Sequence, residues 1–342
     1  LLGLSVLCLT MLATRSLRIE NSILDFRLFR NRVFSVASGA LFLFGGTMFG
    51  AILFLPLFLV NVVGVTATKA GASLIPLSMG MVLGSTLGGQ LASRFGRYKP
   101  IMLVGGALLL VGAVFLSRMG ADVSYWEVTF YMVLCGLGIG PTMPLYPLAV
   151  QNSVDHTKIG QATSAAQFCR QIGGLVGAAS LGAVLGLGLV SGFRTELAGL
   201  PGVSFDLKMT NRGRPNVEAM LSGARASVRA EMDRRQVIAV GAIRDGDGPR
   251  LESVLDGAPE DAKRNAEALL AASPAVRRAA LPELRHDFDA FGDDVISRTN
   301  GGVKRAFATA VTRVYKCVAF MVLIAWLVTW MMPEIPLRKT IR

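Results

Sequence analysis

Metal-binding and redox chemistry have little to work with in this chain. Its 342 residues include two histidines, His156 and His286, and four cysteines, Cys8, Cys135, Cys169 and Cys317. No two cysteines form a C-x-x-C pair and the histidines stand far apart, which excludes a structural zinc site or a disulfide framework. The cysteines read as small apolar packing residues. Catalytic constellations are missing as well: there is no H-E-x-x-H, and no G-x-S-x-G supported by a histidine. We expect neither an enzyme nor a cofactor.

Charge is scarce and unevenly placed. Asp, Glu, Lys and Arg make up 17% of the chain, against about 25% in soluble proteins, while 52% is hydrophobic and the mean hydropathy is +0.51. Several uncharged runs exceed the ~18 residues that mark a membrane-spanning helix. A soluble globular enzyme and a disordered tail are excluded, and the fold class is all-α integral membrane. The net charge of +12 is not a nucleic-acid footprint. Between Gly192 and Arg313, 19 Lys/Arg nearly balance 17 Asp/Glu; the excess sits in short connections between apolar runs, where membrane topology places it. DNA-binding proteins gather theirs into one patch.

The runs divide the chain. Residues 1–13 are apolar but too short to cross a core of about 30 Å, so we read them as a partial helix and expect the chain to be a fragment. A basic connector follows over 14–32, with Arg15, Arg18, Arg27, Arg30 and Arg32. Five spans are expected within 33–193: Val33–Val60, Ala70–Ser93, Pro100–Ser117, Val128–Val154 and Gln171–Phe193. A hydrophilic segment occupies 194–313, a last span 314–332, and a tail 333–342. Basic residues cluster at alternate connections, namely before the first full span, at Arg94, Arg97 and Lys99, at Lys158 and Arg170, and at Arg338, Lys339 and Arg342. That side is cytoplasmic by the positive-inside rule, which makes 194–313 extracytoplasmic in a plasma (bacterial inner) membrane protein with a cytoplasmic C-terminus. The 194–313 segment carries helical periodicity over Asn216–Ile243 and Pro259–Arg285 and few aromatics. We expect two to four amphipathic helices there, poorly packed and tolerated as an insertion, with an ordered cap over the transport path as the alternative.

Glycines four apart (Gly46/Gly50, Gly80/Gly84/Gly88, Gly136/Gly140, Gly173/Gly177, Gly182/Gly186) predict grooves in which neighbouring helix backbones approach closely. Pro141, Pro144 and Pro147 predict a kink in the fourth full span. No Asp, Glu, Lys, Arg or His is expected near the middle of any full span, so proton relays, which need intramembrane acids, are not expected within it. Arg170 is expected at the cytoplasmic end of its span, as a headgroup anchor or the partner of an acid.

Three stretches and the tail together resemble the major facilitator superfamily, in particular its fourteen-span drug:proton antiporter branch. The first runs from Leu24-Asp-Phe-Arg-Leu-Phe-Arg-Asn-Arg-Val-Phe34 through Leu55-Pro-Leu-Phe58 and Gly64-Val-Thr-Ala-Thr-Lys-Ala-Gly71 to Leu74-Ile-Pro-Leu77. The second, Gly89-Gln-Leu-Ala-Ser-Arg-Phe-Gly-Arg-Tyr-Lys99, is similar to the superfamily's cytoplasmic G-x-x-x-D-R-x-G-R-x-K signature. The third joins Gly136-Leu-Gly-Ile-Gly140, Ile159-Gly-Gln-Ala162 and Arg170-Gln-Ile-Gly-Gly174. The tail Pro333-Glu-Ile-Pro-Leu-Arg338 is similar to endings in that branch. The likeness covers Leu1–Phe193 and Val314–Arg342.

The resemblance implies the C-terminal half of a multidrug efflux transporter working by proton-coupled alternating access. Its partners would be membrane lipid, a small lipophilic substrate and a missing N-terminal transporter half. It implies a gating role for Gly89, Arg94, Gly96, Arg97 and Lys99, with ordinary positive-inside topology as the competing reading. The signature's aspartate is Ser93 here, so the latch is expected to be weaker or displaced. Where relatives carry glutamine after P-L-x-L, this chain has Val60, with Asn61 one position later. Substrate-cavity candidates are Phe44, Met48, Tyr131, Met143, Tyr146 and Gln167; at helical spacing such residues also serve as packing or lipid-facing positions. The rival function is a polytopic scaffold or receptor whose 194–313 segment binds a partner.

Overall fold

The computed structural model describes residues 26–196, 217–255 and 260–334. They are overwhelmingly helical, and no strand occurs among the described residues. Six stretches are long and apolar enough to cross a membrane: Arg32–Val63, Ala67–Phe95, Lys99–Leu116, Tyr125–Asn152, His156–Glu196 and Pro274–Trp330. Within them the helices are α1 (Arg32–Phe58, extended by a wider turn over Leu59–Val63), α2 (Ala67–Ala72), α3 (Leu74–Phe95), α4 (Lys99–Leu116), α5 (Tyr125–Ile139), α6 (Thr142–Asn152) and α7 (Ile159–Glu196). Before the last stretch, which is α11 (Pro274–Trp330), lie α8 (Val217–Asp245), α9 (Gly248–Glu252) and α10 (Glu260–Ala271). The expected partial helix over 1–13, most of the connector over 14–32 and the tail beyond Glu334 lie outside the described residues.

Local chemistry sets the helix ends. Asn31 caps α1 by accepting from the Val33 and Phe34 N–H groups at 2.9 and 3.3 Å. Its amide also donates to the Ser153 carbonyl at 2.7 Å, tying the start of α1 to the end of α6. Ser124 and Glu127 form a reciprocal capping box at the start of α5. Gly96 ends α3 in the left-handed region at φ 67°, which a side chain would strain.

The chain divides inside α7 and α11 into two compact units. In the unit holding the described residues up to Gly188 and from Ala308 on, glycine faces bring backbones into contact. A methyl on Gly80 would sit 2.7 Å from the Val133 carbonyl oxygen, and one on Gly46 would lie 3.1 Å from that of Gly173 and 3.2 Å from the Gly177 Cα. Thus α3 packs on α5, and α1 on α7, through small residues whose value is close approach. Gly182 and Gly186 depart from the expectation: both face open space, and Gly188 instead meets Ala310 of α11. A four-residue spacing marks a smooth face but does not say whether a neighbour covers it.

The helical hydrogen bonding of the proline-rich span is interrupted at Gly140 and Pro141, which keep right-handed helical backbone angles. Pro141 has no N–H, so α5 stops at Ile139 and α6 begins at Thr142. The Met143 N–H turns to the Gly140 carbonyl at 3.3 Å, and the Thr142 hydroxyl donates to the Ile139 carbonyl at 2.6 Å in its place.

The second unit, described between Leu189 and Phe307, contradicts the expectation of poor packing. Ala239, Ala242, Ile243, Leu251, Val254, Leu255, Ala266 and Phe288 form a buried cluster, and Val228, Met232 and Val295 a second. Aliphatic and small side chains fill both clusters with Phe288 as their single buried aromatic, which is why low aromatic density misled.

Candidate functional site

Arg170 is not at a helix end. α7 begins at Ile159, so Arg170 lies about 16 Å along its axis. Its backbone carbonyl is where a methyl on Gly45 would collide, and Gly45 is the midpoint of α1, about 20 Å from Arg32. A charged residue therefore lies level with the middle of α1, against the expectation of uncharged span centres. The polar run before it hid this, because Thr163, Gln167 and Arg170 read as a connection. The structure satisfies them inside the helix pair. Thr163 donates to the Ile159 carbonyl at 2.8 Å and accepts from Gln151 of α6 at 3.2 Å.

The guanidinium is half-buried. Its Nε donates to Gln167 Oε1 at 2.8 Å and its Nη1 to the Met143 thioether sulfur at 3.1 Å. Both partners are neutral, and among the described residues no acid pairs with Arg170. Two cavity candidates, Gln167 and Met143, are thus brought together around this cation, just beyond the break at Gly140–Pro141.

Phe44 and Tyr146 form a neighbouring pair, ring centroids 5.6 Å apart. Both are buried, and the Tyr146 hydroxyl lies 2.6 Å from Thr329 Oγ1 of α11. Thr329 was not singled out in the sequence, since a lone threonine in an apolar run carries no signal. Met48, one turn along α1 from Phe44, is half-buried. Tyr131 stands apart, stacked on Phe115 of α4 at 5.3 Å and edge-on to Phe130, which is 62% exposed. Asn61 donates to the Leu57 carbonyl of its own helix at 2.7 Å, and Val60 is exposed.

The basic turn between α3 and α4 grips the end of α11. Arg97 Nε pairs with Glu334 Oε1 at 3.3 Å, and Lys99 Nζ donates to the Trp330 carbonyl at 3.0 Å. Ser93 donates only to the Gln90 carbonyl of its own helix at 2.9 Å. Arg94 is exposed and makes no ion pair among the described residues, and Gly89 faces open space. Among the described residues no group of three His, Cys, Asp or Glu side chains is placed to hold a metal.

Residues 10–178 match the family model described as Major Facilitator Superfamily. This part of the chain is a major facilitator superfamily domain. It is 37% identical over 166 residues to the multidrug transporter protein MdtP of Bacillus subtilis, covering 48% of this chain and 30% of that one. With multidrug resistance protein 3 of the same organism it shares 30% identity over 209 residues, 61% of this chain and 40% of the relative. With the tetracycline resistance determinant of Streptomyces rimosus it shares 32% over 166 residues, 48% of each chain. The chain thus spans less than half the length of each of these relatives. Superfamily members are membrane transporters, not enzymes, and the helical bundle above is of the type such membership requires.

Proposed function

We propose that the six spans form one bundle of a secondary efflux transporter, which exports small lipophilic compounds by proton-coupled alternating access. The observation that carries this reading is the polar group at mid-depth, Arg170 with Gln167 and Met143, beside the proline-broken span. Discontinuous helices near the midplane are where transporters place their substrate sites, and a charge held there without a function is costly. The multidrug and tetracycline relatives supply the chemical class.

In this account the bundle rocks against a second bundle, and the cavity between them is lined by Met143, Gln167, Met48 and Arg170. Among the described residues the spans bring a cation to mid-depth and no acid, so in this account the proton-carrying carboxylate belongs to the opposing bundle. The Arg97–Glu334 pair and the Lys99–Trp330 contact hold the cytoplasmic ends of α3, α4 and α11 together and bias the bundle towards one facing state. The orientation follows the alternation of basic connections, with 194–313 extracytoplasmic.

The test is accumulation of a lipophilic fluorescent dye in an efflux-deficient bacterium expressing the chain together with the opposing bundle. Lowered accumulation is expected, persisting when residues 217–271 are deleted. Unchanged accumulation, or loss of a partner-binding activity with that deletion alone, favours a scaffold whose extracytoplasmic unit binds a partner.

A further inference from the structure

The five N–H donors of a guanidinium form a planar fork matched to a carboxylate or sulfonate. At Arg170 the fork is only partly engaged. Nε is held by the Gln167 amide and one edge touches the Met143 sulfur, a weak acceptor, while Nη2 makes no hydrogen bond among the described residues. Gln167 orients the group without neutralising it. Nothing on α1, α6 or α7 offers a negative charge at this level, and the groups that touch the guanidinium are an amide and a thioether. A cation so placed, at mid-depth and half-exposed, is a poor packing residue and a good receptor for an anionic head on an apolar body.

We propose that Arg170 is the counter-charge for amphiphilic organic anions. Resting on the transport reading above, it adds the substrate class: compounds with a carboxylate or sulfonate on an aromatic or aliphatic body. The anion sits on the free edge of the guanidinium, accepting from Nη2 and Nη1, while its apolar body lies against Met143 and Met48. Gln167 is a positioning residue that fixes the plane of the fork.

Two probes of nearly the same shape test this directly, 1-naphthylacetate and its neutral amide, 1-naphthylacetamide. Binding of each to the purified full chain in detergent is measured by equilibrium dialysis. The wild type binds the acid about tenfold more tightly than the amide, the size of a charge-assisted bidentate contact. Arg170→Gln brings the acid down to the amide's level and leaves the amide unchanged. Arg170→Lys keeps most of the preference. Equal binding of the two probes by the wild type, as expected if a carboxylate of another bundle occupies Arg170, overturns the proposal. So does a preference that survives in Arg170→Gln.

If Arg170→Gln loses both probes through misfolding, Arg170→Lys decides: a retained preference supports the site, and equal binding overturns it. The two readings fail separately. A chain that exports a neutral dye but binds both probes alike retains transport and loses the anion site. One that prefers the acid yet exports nothing retains the site and loses the transport reading.

Discussion

The backbone carbonyl of Arg170 lies where the side chain of any residue but glycine at position 45 would stand. That relationship sets the depth of the charge and the distance between α1 and α7. Gly45→Ala should therefore destabilise the bundle by about 1–3 kcal/mol, as overpacking of a tight contact does. Gly182→Ala, which meets open space, should be neutral or slightly stabilising through helix propensity. Thermal unfolding of the two variants in detergent, side by side, checks this.

The hydrogen bond between Tyr146 and Thr329 joins α6 to α11 in a buried setting. Removing the tyrosine hydroxyl in Tyr146→Phe leaves Thr329 its bond to the Ala325 carbonyl at 2.7 Å, so the loss should be about 1 kcal/mol. Thr329→Val should cost a similar amount. The double variant should cost less than the two together, and a double-mutant cycle on melting temperatures measures the difference.

Tyr315 presents the opposite case. Its ring is fully buried and its hydroxyl has no partner among the described residues. A buried unpaired hydroxyl costs about 1–3 kcal/mol, so Tyr315→Phe should raise the melting temperature. A fall would show that the hydroxyl is satisfied in the membrane.

The basic turn makes a functional prediction with a built-in rescue. Glu334 gives Arg97 a carboxylate partner, while Ser93, where the signature has aspartate, bonds only the Gln90 carbonyl of its own helix. Arg97 is 69% exposed, so the pair adds little stability, under about 1 kcal/mol. Glu334→Gln should leave the melting temperature unchanged and lower dye export several-fold, with Ser93→Asp restoring part of it. Removing Arg94 and Arg97 together should impair export while the protein still reaches the membrane. Full export at normal expression would sink their assigned role.

The legible parts were those written in long-range composition. Six spans, the break at Pro141 and the close-packing glycines of α1, α3, α5 and α7 all follow from periodicity and residue size. Arg170 was misplaced because polar residues on a helix resemble a loop until their partners are known; Thr163 and Gln151 find each other from different helices. The same reason hid Glu334 and Thr329, each meaningful only through a neighbour far away in sequence. The Gly182/Gly186 pair failed in the other direction, a good surface with nothing against it. The buried clusters of the second unit were missed because they are built from small and aliphatic residues, Ala, Val, Leu, Ile and Met with a single phenylalanine, that also occur in solvated helices.

Transport itself is the central claim, and everted membrane vesicles containing the chain together with the opposing bundle test it most directly. With a proton gradient imposed, inside acid, uptake of a lipophilic fluorescent dye should rise above that of vesicles lacking the chain and collapse when an ionophore dissipates the gradient. Uptake indistinguishable from empty vesicles, or indifferent to the gradient, would contradict the proton-coupled export proposed here.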